Sequence, residues 1–246
     1  MKIDFHCHTL ISRKAVFDNT LFDKTINQSK KMGLDAIVMT EHMSAKYFEQ
    51  ILDYLDLYYP YKNIYYHIND FRLYIGMEVD LKTNGHILVM GHKNDIVCLR
   101  RRLLNKYPNS PSLEQFLTEA RDFETFIVGA HPYMLTGINT TTLKQLDALD
   151  MNGKDLRFKR QIENLSKTLN LPLVGGSDTH LYIQAGVTQT CLDKSFETIA
   201  ELKQLLNTSP PKITSHPLIK FKIKLAGYVK KRIKKRILDN QYLWNS

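Results

Sequence analysis

What this chain has little of narrows it first. Its three cysteines, Cys7, Cys98 and Cys191, are odd in number and far apart. That excludes a disulfide framework and fits a reducing compartment. No run approaches the roughly 18 uninterrupted apolar residues of a membrane-spanning helix. Asp4, His6 and His8 interrupt any apolar stretch at the N-terminus, so no signal peptide is expected and the expected location is cytoplasmic. Low-complexity segments and internal repeats are absent.

Net charge is also scarce outside one end. The chain carries a net +9, but Ile213 to Ser246 holds nine Lys/Arg against the single acid Asp239, which leaves +1 for residues 1–212. A near-neutral body with a basic tail is not the composition of a chain coated by nucleic acid. Hydrophobic content of 43% and charged content of 24% are ordinary for a globular protein. The 246 residues suffice for one barrel-sized core or two small ones.

Short apolar strands and amphipathic helices alternate along the chain. Strands are predicted at 2–6, 35–40, Phe71–Val79, His86–Met90, Thr125–Ala130 and Leu171–Gly175. Helices are predicted from Leu21 to Met32 with Gly33 as the stop, from a Ser44 cap to about Tyr58, after Ser112, over Thr140–Leu149, from about Asp155 to Leu169, and from about Phe196 to Leu206. The aromatic-rich residues 58–67 leave helix and strand open. This alternation predicts an α/β protein with a largely parallel sheet, and six or seven strand–helix units fit a TIM-type barrel or a distorted relative of one.

Ligand-type residues gather where those strands end. His6 and His8 close the first strand, His42 follows the second, Glu78 ends the third with His86 beside it, His131 ends a later one, and Asp178 with His180 ends the last. In a parallel barrel these ends converge on one face. His6/His8 and Asp178/His180 are i, i+2 pairs, so each pair faces one side of an extended segment. Any one of these histidines alone reads as a surface residue, Asp178 as a cap, and Glu78 competes with Asp80 or Asp35. Together they form a nitrogen-rich N/O donor set that suits Zn²⁺, Mn²⁺ or Fe²⁺ better than Mg²⁺ or Ca²⁺. There are too many donors for one tetrahedral ion, so two or three are expected, and a carboxylate such as Glu78 is able to bridge two of them. Cys7, between the two histidines, should face the opposite side and belong to the core.

Taken in order, Asp4-Phe5-His6-Cys7-His8-Thr9, Thr40-Glu41-His42, Gly76-Met77-Glu78-Val79, Gly85-His86-Ile87-Leu88, Ala130-His131-Pro132 and Gly176-Ser177-Asp178-Thr179-His180 resemble the PHP family, the polymerase-and-histidinol-phosphatase superfamily of metal-dependent phosphoesterases. The resemblance covers residues 1 to about 212. It implies a distorted (β/α)7 TIM-like barrel with up to three metals. It also implies that His6, His8, Glu78 and Asp178 hold one metal, Glu78, His86 and His131 a second, and that His42 and His180 contribute to a third. His92 competes with His86 for its place. The implied activity is hydrolysis of a phosphomonoester or phosphodiester by metal-activated water, with Glu78, His131 and Asp178 catalytic through the metals. The expected substrate is a small phosphorylated molecule or a nucleotide. A C–N hydrolase of amidohydrolase type, which predicts a lysine or other bridging ligand rather than Glu78 and the Asp178-x-His180 pair, and a degenerate PHP module that only binds are the alternatives.

Two departures from the family pattern stand out. Glu41 precedes His42 where the family usually has Asp. Ser12-Arg13-Lys14 stands where Ser-Asp-Gly is usual, which leaves the third metal short of a ligand unless Asp18 supplies one. Arg13 and Lys14 read as a solvated loop pair, with phosphate binding as the other reading.

Residues 213–246 form the second expected unit, a basic amphipathic tail. Phe221, Leu225, Val229, Ile233 and Ile237 recur every four residues among Lys and Arg. Such a helix either lays its stripe on the barrel or binds an anionic membrane surface or nucleic acid, the second case making the protein peripheral at a membrane.

Overall fold

The computed structural model describes the backbone of residues 1–244 and the side chains of residues 1–233. The elements run β1 (Lys2–Cys7), α1 (Asn19–Lys31), β2 (Ala36–His42), α2 (Phe48–Tyr58), β3 (Tyr61–Lys62), β4 (Tyr65–Ile68), β5 (Phe71–Asp80), β6 (His86–Gly91), α3 (Lys93–Lys106), α4 (Leu113–Ala120), β7 (Thr125–Ala130), α5 (Thr140–Leu143), β8 (Ala148–Asp150), α6 (Lys159–Leu169), β9 (Leu173–Val174), β10 (Thr188–Cys191), α7 (Ile199–Thr208), β11 (Lys212–Ser215) and α8 (Ile219–Trp244).

One sheet runs in the order β11-β10-β1-β2-β5-β6-β7-β8-β9. The segment after β9 then returns to β1. Phe5 N donates to Gly175 O at 3.2 Å, Asp178 N to His6 O at 2.7 Å and His8 N to Thr179 O at 2.8 Å. The sheet is thereby nearly closed into a TIM-like barrel. It is mixed rather than largely parallel: β1–β2, β2–β5, β7–β8 and β8–β9 are parallel, whereas β6 runs antiparallel to both β5 and β7 and β10 antiparallel to β1 and β11. The Gly85 turn is the reason: it joins β5 to β6 as a hairpin and leaves no room for a crossover helix.

Strand parity divides the interior. Ile37, Met39, Leu73, Ile75, Met77, Ile87, Val89 and Ile127 pack outward against α1 to α4. Ala36, Val38, Tyr74, Leu88, Met90, Phe126, Val128 and Ala148 point inward, where Phe196 and α7 residues Ile199, Leu202, Leu205 and Leu206 close the floor. The two-residue period of a strand produces both faces.

Local signals set several boundaries. Asp18 caps α1, accepting from Leu21 N, and Gly33 follows that helix at φ +78°, the left-handed conformation a C-terminal stop requires. Ser112 and Gln115 form a reciprocal capping box on α4. Elsewhere the structure departs from the sequence expectations. The helix predicted from Ser44 begins at Phe48, and its capping residue Tyr47 supplies no side-chain hydrogen bond. The predicted helix 140–149 ends after one turn at Leu143 and becomes β8. Residues 58–67 contribute the β3–β4 hairpin, which pairs onto β5. α3, β10 and β11 were not among the sequence expectations, although α3, KNDIVCLRRRLLNK, carries a helical stripe in Ile96, Leu99, Arg100 and Leu103.

α8 crosses the barrel mouth. Ile219 and Ala226 are buried, and Ala226 packs with Val229 and Ile233 against Ile11, Leu181, Tyr182 and Ile183. Phe221 and Leu225, expected on the same stripe, are exposed. A four-residue spacing on a 3.6-residue helix drifts by about 40° per step, so such a row cannot stay on one face. Ile237 lies outside the residues whose side chains are described. Among the described residues no helix is long and apolar enough to cross a membrane.

Candidate metal centre

Inward strand positions change from apolar at the barrel floor to ionisable at its mouth. On β5 they read Tyr74, Gly76, Glu78, Asp80, and on β2 Ala36, Val38, Thr40, His42. On β6, which runs the other way, the first inward residue is His86, so the antiparallel turn places it at the same mouth. The register sets His42 beside Glu78, His86 beside Asp80, and His86 beside Ala130, the residue before His131.

β1 needs an extra device. Ile3 and Phe5 lie in the inner cluster and Cys7 in the outer one, so the side-chain phase changes between them. The register against β2 shifts between Asp4 and Cys7. This β-bulge turns His6 and His8 inward above Phe5 and sends Cys7 into the outer core. Opposite, Gly176 packs against the His6 backbone: a Cβ there would stand 2.4 Å from both His6 N and His6 Cβ. Its lack of a side chain lets residues 175–179 lie against β1. His131 and Asp178 both take left-handed backbone angles, φ +46° and +50°, a strained conformation for non-glycine residues that recurs at functional sites.

Glu78, 2% exposed, stands at the centre. His86 Nδ1 lies 2.6 Å from its Oε1. His42 Nδ1 lies 2.9 Å from Oε2 without a hydrogen-bond alignment. His8 Nε2 is 3.4 Å from Oε2, and His6 Nε2 and His131 Nε2 are 3.6 and 3.9 Å from Oε1. Asp178 lies within 3.8 Å of His6, His8 and His131 and 3.3 Å from His180 Nδ1. The His8 and His180 rings stand with centroids 4.2 Å apart. Three sets of donor atoms each fall within 4.8 Å of one another: His6/His8/Asp178, His6/Glu78/His131 and His8/His42/His180.

The donors suit a divalent cation on two grounds. Asp150 Oδ2 receives His6 Nδ1 at 2.9 Å and Asp155 Oδ2 receives His131 Nδ1 at 2.6 Å. A ring that donates through Nδ1 keeps its Nε2 lone pair for a Lewis acid. His6 Nε2 faces His8 Nε2 at 3.3 Å, a contact that either a proton carried by His8 or a shared cation satisfies.

The electrostatics follow from the same contacts. Burial raises the Glu78 pKa, but the surrounding His42, His6, His8 and His86 imidazoles outweigh it and hold the carboxyl well below its ordinary range. Asp178 is likewise held well below, burial being outweighed by Lys154, His6 and His180; Lys154 Nζ lies 2.7 Å from its Oδ2. Burial lowers His6, but Asp178, Asp150 and Glu78 carry it well above 6.5. His180 goes the other way: burial and the His8 charge push it down to about 3, which keeps it neutral.

All the sequence-predicted site residues, His6, His8, His42, Glu78, His86, His131, Asp178 and His180, meet at this mouth. His92 does not join them; it caps α3 by accepting from Asn94 N. Asp35 accepts from Lys2 N at the opposite end of the barrel, and Asp18 is taken up in capping α1. Asp80 sits at the rim between Arg13 and His86. Sequence reasoning missed Asp150, Asn152, Lys154 and Asp155, because Thr140–Leu149 read as helix, Asn152-Gly153 as a turn and Asp155 as the start of the next helix; the acid at the end of Ala148-Leu149-Asp150 was the available signal. Glu41 works behind the histidines, accepting from Leu10 N at 2.8 Å and from the backbone and hydroxyl of Thr9.

No protein-family model matches the sequence, and no curated protein matches it. Solved structures do match. PsfC from Pseudomonas syringae PB-5123 is 20% identical, with a TM-score of 0.78 over 94% of this chain and 98% of that one. The lesion-specific endonuclease PfuEndoQ from Pyrococcus furiosus is 16% identical, with a TM-score of 0.65 over 86% of this chain. The present chain spans only 57% of the endonuclease. An amidohydrolase from Chromobacterium violaceum with bound sulfate is 11% identical, with a TM-score of 0.52 over 87% of this chain and 97% of that one. At such identities the likeness shows the fold, a mixed α/β, nearly closed TIM-like barrel.

Proposed function

We propose that this chain is a PHP-type metal-dependent phosphoesterase that hydrolyses a phosphomonoester or phosphodiester. The observation that carries the proposal is the pair of donor triads sharing His6, namely His6/His8/Asp178 and His6/Glu78/His131, with Glu78 between them at the barrel mouth. Endonuclease Q, also recorded with a 27-mer duplex carrying an abasic lesion at its active site, supports phosphoester chemistry on this fold.

In this proposal His6, His8, Glu78 and Asp178 hold one Mn, Zn or Fe ion and Glu78, His86 and His131 a second. His42 and His180 contribute to a third. Glu78, His131 and Asp178 are the residues closest to the reaction. Bound there, the ions would neutralise phosphoryl oxygens and lower the pKa of water. The protein's part is positional. Asp150 and Asp155 fix the tautomers of His6 and His131, and Glu41 secures the Thr9–Leu10 turn behind His8. Lys154, ion-paired with Asp178, brings an ammonium to the mouth where it is able to orient a phosphoryl oxygen. Residues 1–212 carry this chemistry, and residues 213–246 form a basic unit that tunes substrate choice or location.

The amidohydrolase alternative calls for a lysine or other bridging ligand in place of Glu78 and the Asp178-x-His180 pair. Here the central residue is Glu78, and Lys154 pairs with Asp178 instead. The test combines metal analysis with hydrolysis of a panel of phosphomonoesters and phosphodiesters. Metal-dependent turnover lost in His8→Ala is the expected result. Activity that survives both chelation and His8→Ala overturns the proposal.

A further inference from the structure

Beside the metal centre lies a cavity of about 370 Å³ lined by Ser12, Arg13, Lys14, His42, His180 and Lys230. Its inner wall, His42 and His180, is also the outer edge of the donor cluster. The remaining wall brings three cations from two distant parts of the chain, and no carboxylate is among these lining residues. We propose that this cavity is an anion subsite, which selects substrates carrying a second phosphate in addition to the phosphoryl group being cleaved. This rests on the phosphoesterase proposal above.

The fold builds the subsite from both ends of the chain. Arg13 is held by Asp80, whose Oδ1 lies 2.7 Å from Arg13 Nη2, and its carbonyl accepts from Lys46 N at 2.9 Å. A guanidinium held at one nitrogen keeps further N–H groups in a fixed fork, the geometry that receives phosphate oxygens. Lys230 arrives by another route. Ala226, Val229 and Ile233 of α8 pack on Ile11, the residue just before Ser12-Arg13-Lys14. The same contact that docks the helix therefore sets Lys230 across from Arg13. The tripeptide that departs from the family pattern and the basic tail thus meet over one cavity.

The charge of the site agrees. A phosphoryl group at Glu78 and Asp178 leaves the rest of a small substrate to extend past His42 and His180 into the cavity. A neutral leaving group would meet three cations there, whereas a second phosphate would be matched by them. Charge-assisted hydrogen bonds of this kind correspond to about tenfold in affinity each.

Binding of two non-hydrolysable probes tests the subsite: propane-1,3-bisphosphonate and propylphosphonate, titrated by calorimetry into the full chain loaded with Mn²⁺. The expected result is binding of the bisphosphonate at least about tenfold tighter. The preference should fall towards unity in Arg13→Gln/Lys230→Gln and persist in the charge-keeping pair Arg13→Lys/Lys230→Arg, with thermal melting reporting that each variant is folded. Equal binding of the two probes to the wild type, or a preference that survives the Gln variants, overturns the subsite and leaves the phosphoesterase proposal standing. A metal-loaded chain that binds neither probe overturns both.

Discussion

His6 Nδ1 lies 2.9 Å from Oδ2 of Asp150, two fully buried residues 144 positions apart in the chain. This contact decides which nitrogen of His6 is presented to Glu78 and Asp178. Asp155 does the same for His131 at 2.6 Å. Asp150→Asn preserves shape, but its amide can donate to Nδ1 and so move the ring proton to Nε2. Affinity for Mn²⁺ or Zn²⁺ should fall roughly 10–100-fold, the usual cost of losing such a partner. A metal titration of the folded variant checks this; unchanged affinity would show that Asp150 does not orient the ring.

Gly176 and Gly227 should respond in opposite directions to alanine. The Cβ of Gly176→Ala would meet His6 backbone and Cβ at 2.4 Å, where neither side can swing away. A loss of about 1–3 kcal/mol or more is expected from such overpacking. Gly227 lies within α8, and a Cβ added to it would have nothing within 4 Å. There alanine should stabilise the helix by about 0.5–1 kcal/mol. Denaturant melts of both variants give the comparison, and destabilisation by Gly227→Ala would contradict it.

Asp4 supplies a pH dependence. Burial pushes its carboxyl up from 3.8 to about 6, against hydrogen bonds from Ser177 and the His6 backbone that lower it. The fold therefore favours the neutral form. Its contribution to stability is fully present below pH 3.8 and is lost as the pH rises through about 6. Asp4→Asn keeps an oxygen for the two backbone donors and cannot ionise. In the metal-free protein it should be more stable than wild type at pH 7, by at most about 3 kcal/mol, and the difference should vanish near pH 3.5. A pH series of melts decides; a gap that widens toward acid would reverse the sign.

Metal loading should raise the thermal midpoint. An ion that binds only the folded chain at 100 times its dissociation constant adds about 2.7 kcal/mol, or roughly 5–11 °C for a chain of this size. Chelation should reverse the shift, and His8→Ala should reduce it. Identical melting curves with and without Mn²⁺ or Zn²⁺ would count against the centre.

The candidate donors were legible from the sequence because they sit at the ends of apolar runs. Thr125–Ala130 followed by His131 is read from local pattern alone, and the strand has those bounds. Helix α4 announced itself through Ser112, which opens it. By contrast, the roles of Asp150 and Asp155 were not read from the sequence, although Asp150 ends a short apolar run. Thr140–Leu149 has helical periodicity, yet tertiary pairing of Leu149 with Gly129 and Leu173 makes its end a strand.

What the sequence by itself determined is the inventory: eight histidine and carboxylate donors, a near-neutral body, a basic tail, and short strands long enough to close a barrel. Those follow from residue type and two-residue alternation, which need no distant partner. What only the tertiary structure decided is phase and direction. The bulge between Asp4 and Cys7 turns His6 and His8 inward, the antiparallel β6 carries His86 to the mouth from the start of its strand, and the docking of α8 on Ile11 brings Lys230 to face Arg13. The bulge and the docking of α8 depend on contacts between segments far apart in the chain, which no local pattern encodes; the short Gly85 turn sets the direction of β6, and pairing with β5 and β7 fixes where His86 stands.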